Sequence, residues 1–317
     1  EIRLCDWSSD VCSSDLSSVT ARLLSPEQIA VKAGQTVPFL RLPDAARLYA
    51  ERAARLDALA DGHAIGDYLR FIARVAEAQQ RLAADYPVLP LPDAAAIALA
   101  ADRIEPPRPA DRWPRSPLWI DGLRRLLDTL SASLPDGPAR SLIAALRDAP
   151  AEHLQSQADR ILNGVTLGLN LATAPLIAAA LQVYWTALVA QTLAAHGAQA
   201  FGRTHAATRC PCCGSTPVAS ITRISAEQSG TRYLHCSLCA AQWHMVRVKC
   251  AHCESTKGIH YQELSRGEGT GGSEGVGGAT ASAGLSEAEI VPGNSRNAKS
   301  AAVKAECCDE CGHYLKI

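Results

Sequence analysis

Residues 230–255, GTRYLHCSLCAAQWHMVRVKCAHCES, say most about the fold of this chain, because they hold two cysteine pairs between short apolar runs. Cys236 and Cys239 form one pair and Cys250 and Cys253 the other, each with two residues between them. That spacing lets both thiolates of one tight turn face a single ion. The flanking runs alternate and carry β-branched or aromatic residues, so they predict short strands joined by cysteine-bearing turns.

Two further pairs lie on either side of this stretch. Cys210 and Cys213 precede it in CPCCGS, and Cys308 and Cys311 follow it in CCDECG. A single CxxC pair is weak evidence for a metal site, but four pairs in about a hundred residues are strong evidence. A glycine follows the first pair and the last, and it permits the positive φ that such turns often need.

Eight thiolates divide into two four-sulfur sites, the tetrahedral set that zinc and iron favour. Neighbouring pairs predict two groups of metal ligands: Cys210, Cys213, Cys236 and Cys239, and then Cys250, Cys253, Cys308 and Cys311. A cross-brace, which joins the first pair to the third and the second to the fourth, is the alternative. The spacing alone does not choose between the two.

Five other cysteines and histidines lie in or near the pairs. We expect Cys212 and Cys307 to be inert thiols, since each merely adjoins a ligand cysteine. His235, His244 and His252 are each able to replace a cysteine or to hydrogen-bond a sulfur. With eight cysteines available, we expect them to be surface or supporting residues.

Charge and cysteine distribution exclude several classes of protein. The 317 residues carry 31 Lys+Arg and 32 Asp+Glu, a net charge of −1, which argues against binding mainly to phosphates or to an anionic membrane. Residues 201–317 hold 12 Lys+Arg and 10 Asp+Glu, a poor footprint for nucleic acid. Residues 17–209 contain no cysteine, so a secreted disulfide scaffold is not expected.

The first two thirds of the chain are rich in alanine and show helical periodicity. Helices are predicted near residues 42–62, 65–84, 93–102, 118–133, 138–149, 151–163 and 176–196. The last contains a charge-free run, residues 175–195, that is long enough to cross a bilayer. It holds Gln182 and Gln191 and favours alanine over leucine, so we expect a buried helix of a soluble bundle and no stable membrane insertion.

The predicted fold class is α+β, with an all-α domain followed by small rubredoxin-like or zinc-ribbon β modules. We assign residues 17–203 to the helical domain, and 204–264 with 301–317 to the tetracysteine modules. Residues 265–300 read as a flexible Gly/Ser-rich loop, and residues 1–16 as a non-native or disordered leader. The chain has no GxSxG, HExxH or P-loop motif, so we do not expect an enzyme.

Five blocks together resemble the FdhE family of formate dehydrogenase accessory proteins. Three are cysteine-bearing: CPCCGS at 210–215, residues 230–255 as quoted, and AECCDECGHYLKI at 305–317. Two lie upstream: LSPEQIAVKAGQTVPFLRLPD at 24–44 and RAARLDALADGHAIGDYLRFIARVAEAQ at 52–79. The resemblance covers nearly the whole chain from about residue 17, and the block from Cys236 to Cys253 is its most specific part.

The resemblance implies a cytoplasmic protein that contacts the catalytic subunit of formate dehydrogenase and is needed for its activity, without oxidising formate itself. It carries the family's CxxC motifs onto the eight cysteines named above and favours iron in both tetracysteine sites, with zinc as the alternative. A zinc-ribbon nucleic-acid-binding protein and an iron–thiolate electron carrier are the alternative functions. The oligomeric state stays open.

Overall fold

A computed structural model describes residues 37–223, 231–264 and 303–317. The predicted leader, residues 1–16, and the predicted Gly/Ser-rich loop, residues 265–300, both lie outside these ranges. Within them the chain forms a helical bundle followed by a mixed β-sheet that carries the cysteine turns. The α+β prediction is therefore confirmed.

Seven α-helices form the bundle, close to the seven predicted positions. They are α1 (Leu48–Ala60), α2 (Gly66–Ala84), α3 (Ala94–Asp102), α4 (Leu118–Ala132), α5 (Pro138–Arg147), α6 (Ala151–Leu162) and α7 (Ala174–His196). α1 packs on α2, and α7 packs on α2, α4 and α6, so α7 is the central helix. On α2 and α4 the apolar residues recur at helical spacing, and the apolar face that this spacing creates packs on α7.

α7 is apolar on every side, and such a helix must be buried in a core or in lipid. In the part of the chain that the structure describes, it is the one helix long and apolar enough to cross a membrane, and 67% of its apolar window is buried inside the protein. Trp185 and Leu188 at its centre are fully buried. The prediction of a buried bundle helix agrees with this packing.

The polar side chains of α7 bond to other parts of the protein. Gln182 Nε2 donates to the carbonyl of Ser237, 3.0 Å away, and Gln191 Nε2 donates to that of Pro87, also at 3.0 Å. The Thr186 hydroxyl lies 3.1 Å from the Tyr49 hydroxyl. These bonds satisfy groups that burial would otherwise penalise, and Gln182 also ties the helix to a cysteine turn.

Seven strands form one sheet in the order β1-β4-β3-β2-β7-β6-β5. They are β1 (Leu40–Arg41), β2 (Pro217–Arg223), β3 (Thr231–Cys236), β4 (Gln242–His244), β5 (Ile259–Leu264), β6 (Val303–Cys308) and β7 (Tyr314–Lys316). Neighbours are antiparallel except β2 and β7, which run parallel and join through Ala219 and Lys316. That parallel contact unites a four-stranded half with a three-stranded half.

Strand β1 lies inside the segment predicted to be all-helical. It pairs with β4, with Leu40 opposite Trp243, and the carbonyl of Phe39 accepts a 2.8 Å bond from the N–H of His244. The Tyr233 hydroxyl donates to the carbonyl of Pro38 at 2.8 Å. Strand β4 would otherwise expose unpaired backbone groups, so the segment before α1 completes the sheet.

A buried ion pair joins the two halves of the sheet. Arg232 on β3 donates to Glu306 on β6 at 2.6 Å, and also to the carbonyls of Val246 and Lys249. Burial raises the pKa of Glu306 and lowers that of Arg232, while each charge opposes the shift of the other. The bonds to Val246 and Lys249 hold the chain in a turn between β4 and Cys250.

Candidate metal centres

The first cysteine cluster consists of Cys210, Cys213, Cys236 and Cys239. The sulfur of Cys213 lies 3.5 Å from that of Cys236 and 3.6 Å from that of Cys239, and the sulfurs of Cys210 and Cys239 are 3.5 Å apart. All four residues are at most 1% exposed. They belong to the same hydrophobic core as α7, so the cluster is part of the interior of the protein.

The second cluster consists of Cys250, Cys253, Cys308 and Cys311. The sulfurs of Cys250 and Cys311 lie 3.7 Å apart, as do those of Cys253 and Cys308. Cys253 is exposed and Cys311 is half-buried. This cluster therefore reaches the surface, whereas the first does not.

The sulfur separations match a tetrahedral four-thiolate site. A metal–sulfur bond of about 2.3 Å puts the corners of a tetrahedron about 3.8 Å apart. Covalent disulfides require about 2.05 Å, and all ten cysteines in the described ranges are free thiols. The structure thus contains two tetracysteine groups capable of holding a metal, and they are the groups predicted from neighbouring pairs rather than the cross-brace.

All four CxxC turns share one backbone geometry. The N–H of the first cysteine donates to the carbonyl five residues later, at Ser215, Ala241, Ser255 and His313, over 2.8 to 3.0 Å. Backbone N–H groups also point at sulfur: those of Leu238 and His252 lie 3.3 Å from the sulfurs of Cys236 and Cys250. Such donors stabilise thiolate charge, so the turns are suited to hold deprotonated cysteines.

Each turn ends on a residue in the left-handed backbone region. Its φ is +73° at Gly214, +59° at Ala240, +62° at Glu254 and +69° at Gly312. The sequence predicted this conformation only where glycine follows the pair. The other two turns adopt it with a Cβ present, at a cost of about 1–2 kcal/mol each, which shows that the cysteine geometry overrides local preference.

The four cysteines of the first cluster differ in pKa. Burial raises the pKa of Cys210, Cys236 and Cys239 well above the ordinary thiol value. Burial also acts to raise the pKa of Cys213, but hydrogen bonds from Cys210, Cys236 and Cys239 outweigh it and hold that pKa well below the ordinary value. Cys213 therefore loses its proton most readily, and a metal cation that binds these sulfurs must displace the protons of the other three.

The cysteines of the second cluster also differ in pKa. Burial acts to raise the pKa of Cys250, but the N–H groups of Cys253 and His252 hold it below the ordinary value. The N–H of His313 acts to lower the pKa of Cys311, yet burial and hydrogen bonds with neighbouring sulfurs raise it to about 12. Once deprotonated, the four sulfurs form a donor set that fits zinc or iron.

The remaining cysteines lie outside both groups. Cys212 is fully buried beside the first cluster, and Cys307 is half-buried on β6 opposite Tyr314. His235 and His244 lie on β3 and β4 and belong to neither group of sulfurs. Sequence reasoning missed His313, whose ring stacks on that of His252; the signal was its position directly after CxxCG.

A cleft of about 840 Å³ lies beside the first cluster. The end of α6, at Ile161, and the first half of α7, at Gln182, form one wall, and the Cys210 turn forms another, at Gly214 and Ser215. The volume falls within the range of about 300–1,000 Å³ found for ligand pockets. The first cluster therefore supports a cleft wall while its own sulfurs stay buried.

The chain matches two protein-family models. "FdhE, N-terminal" matches residues 37–202 and "FdhE, central domain" matches residues 209–247. The first covers the helical bundle with β1, and the second covers the first cysteine cluster with β2, β3 and β4. The match to the N-terminal model alone spans more than half of the chain.

Curated relatives agree with the family models. The protein named FdhE homolog from Pseudomonas putida is 37% identical over 295 residues, 93% of this chain and 82% of that protein. The FdhE homolog from Cronobacter sakazakii is 35% identical over 286 residues, 90% and 80% of the two chains. Protein FdhE from Salmonella choleraesuis is 35% identical over 281 residues, 89% and 79%.

A solved structure shares the fold. The crystal structure of the FdhE protein from Pseudomonas aeruginosa superposes with a TM-score of 0.64 at 33% identity. The superposition covers 88% of this chain and 85% of that one. Family models, relatives and fold agree with the resemblance carried by the cysteine blocks, and this chain belongs to the FdhE family.

Proposed function

We propose that this protein is a cytoplasmic accessory factor that binds the catalytic subunit of formate dehydrogenase and is needed for its activity. Membership of the FdhE family supports this proposal. Its main structural support is the pair of tetracysteine groups, which lie in the turns of a single sheet next to the helical bundle. The protein acts by docking rather than by catalysis.

We assign the eight cysteines of the two clusters as metal ligands. The sulfur separations of 3.5 to 3.7 Å and the backbone N–H groups that point at the sulfurs support this assignment. Iron is the proposed metal in both sites, with zinc as the alternative. Bound zinc stabilises the fold alone, whereas iron in the same sites also carries one electron.

Two buried contacts connect the cysteine clusters to the rest of the protein. The Arg232–Glu306 ion pair joins the two halves of the sheet. The bond from Gln182 to Ser237 joins the second cysteine turn to α7. We therefore expect the partner to meet helices and cysteine turns that are linked to one another.

Affinity capture tests the proposal. Tagged protein is expected to retain the catalytic subunit of a matched formate dehydrogenase from a cytoplasmic extract. Replacing Cys236 and Cys239 by serine removes two ligands from the first cluster and is expected to lose its metal and weaken capture. Cys307→Ser, a half-buried cysteine outside both clusters, is the matched control and is expected to change neither.

Two results of this experiment have distinct meanings. Failure of the unaltered protein to retain the subunit would contradict the docking role. Because the first cluster is part of the core, Cys253→Ser at the exposed second cluster provides a variant whose helical core is untouched. If Cys253→Ser protein lacks metal at the second cluster and still captures the subunit normally, docking does not depend on metal at that site.

The exposure of the second cluster favours one further role, as an electron carrier. Cys253 reaches solvent, so an iron ion held there would lie close enough to the surface to exchange electrons with a docked partner. This role predicts a reversible one-electron couple and visible iron–thiolate absorption. Colourless protein that contains only zinc after growth with ample iron would exclude it.

A further inference from the structure

Two exposed histidines meet beside the second cysteine cluster. His252 lies in the turn between Cys250 and Cys253, and His313 follows the turn that ends at Gly312. A nitrogen of each ring and the sulfur of Cys311 all lie within 4.8 Å of one another. Three side chains of the types that bind metals thus lie together. Only one of them, Cys311, also belongs to the four-thiolate site.

The arrangement of the two rings is unusual for a pair of aromatic side chains. Their centroids are 3.4 Å apart and their planes differ by 10°, a face-to-face stack. Aromatic rings in proteins favour offset or edge-to-face pairs with centroids about 4.5–7 Å apart. Both histidines are exposed, so burial does not press them together, and ordering them costs conformational entropy.

The pair is close enough to share one ion after a change of side-chain torsion. Two histidine nitrogens bound about 2.0–2.1 Å from a tetrahedral ion are about 3.3–3.4 Å apart, and here a nitrogen of each ring lies within 4.8 Å of the other and of the Cys311 sulfur. The lone pair of an imidazole lies in the plane of its ring, so the two rings, which are 10° from parallel, must turn out of the stack for both lone pairs to meet one ion. Both side chains are exposed and can turn in this way while their backbone stays in place.

The hydrogen bond of His313 leaves one nitrogen of its ring, Nε2, free to bind a metal. Its Nδ1 lies 3.1 Å from the carbonyl oxygen of Cys311. A carbonyl oxygen only accepts, so Nδ1 carries the proton and the lone pair of the neutral ring is on Nε2. Histidines that bind metals commonly donate their other N–H to a backbone carbonyl in this way.

We propose that His252, His313 and Cys311 form a loading position for a divalent transition-metal ion. From it, the ion passes into the second four-thiolate site when the two imidazoles are exchanged for the sulfurs of Cys250, Cys253 and Cys308, and the protons that these thiols lose go to the released imidazoles or to solvent. Cys311 stays bound throughout, so the ion is never released to water. The same steps in reverse let metal leave. The inference rests on the proposed four-thiolate site and adds a route to it.

The two clusters differ in the way this proposal requires. The first is closed, with every ligand at most 1% exposed, and no histidine joins a cysteine group there within the described residues. The second has an exposed cysteine, a half-buried one and the histidine pair. We therefore expect the second site to exchange metal quickly and the first slowly.

Zinc transfer from the full-length zinc-loaded protein to a chromogenic chelator tests the loading position. Stopped-flow traces are expected to show two phases, the faster from the second site, and Cys253→Ser should remove that phase. Replacing both His252 and His313 by alanine is expected to slow the fast phase about tenfold, the order by which supporting groups alter metal binding. The slow phase and the zinc content should not change, which shows that the variant is folded.

His153→Ala, an exposed histidine on α6, is the matched control and should leave both rates unchanged. A fast phase of normal rate in the double histidine variant would overturn the loading position while leaving the four-thiolate site intact. Absence of any fast phase in the unaltered protein would contradict a labile second site, and the loading position with it. Loading of metal-free protein with Co²⁺ should show the same slowing in the forward direction.

Discussion

The residue that ends each cysteine turn adopts a left-handed backbone conformation, which closes the turn on its two sulfurs. Gly312 has a φ of +69°, and a Cβ built there contacts nothing within 4 Å. An alanine at this position would therefore be disfavoured by the backbone alone, by about 1–2 kcal/mol. Sequence reasoning identified the glycines of this class but had no signal for Ala240 and Glu254, because their strain exists only once the sulfurs are brought together.

Gly312→Ala is expected to lower the free energy of unfolding of the second module by about 1–2 kcal/mol. The measurement is zinc release from the fast-exchanging site as guanidinium concentration rises. Gly202→Ala is the control, since its added Cβ also meets open space and its φ is not positive; it should shift stability by less than about 0.5 kcal/mol. Equal effects of the two substitutions would contradict the strained turn.

The pKa values of the first cluster predict how its metal affinity depends on pH. The pKa values of Cys210, Cys236 and Cys239 are raised well above the ordinary thiol value, while that of Cys213 is lowered well below it. Binding one divalent ion there should release protons, chiefly from the three thiols with a raised pKa, so affinity falls as pH falls. Calorimetry in buffers of different ionisation enthalpy counts them, and pH-independent affinity would contradict this distribution.

Among the secondary-structure elements, α7 connects the bundle to the sheet that carries the cysteine turns. It packs on three helices, and its Gln182 reaches the second cysteine turn. The helices could be predicted because each spans enough residues for periodicity to emerge. Strands β1 and β7, of two and three residues, could not, because so short a segment has no period and becomes a strand only through its partner.

A substitution at the centre of α7 tests its role as the core helix. Leu188 is fully buried, and Leu188→Ala should cost about 2–5 kcal/mol of stability through lost packing and a cavity. Leu167→Ala removes an exposed side chain just before α7 and should cost less than about 0.5 kcal/mol. Urea denaturation followed by tryptophan fluorescence measures both, and equal stability of the two variants would contradict a packed α7.

In the whole molecule, one hydrophobic core extends from the bundle into the first cysteine cluster, and the second cluster lies on the far half of the sheet. The sequence supplied the eight cysteines and both arrangements of their pairs. It did not choose between them, because the choice depends on sheet order. Parallel pairing of β2 with β7 and the Arg232–Glu306 bridge set that order through contacts distant in sequence.

Elemental analysis of anaerobically purified protein measures how many metal ions the eight cysteines bind. We expect about two metal ions per chain, iron with zinc as the alternative, because each tetracysteine group brings together the four sulfurs that one ion needs. Cys253→Ser should lower the count by one, and the Cys307→Ser control should leave it unchanged. Well-folded protein that binds no metal, or that keeps both ions when Cys253 is replaced, would contradict the two four-thiolate sites.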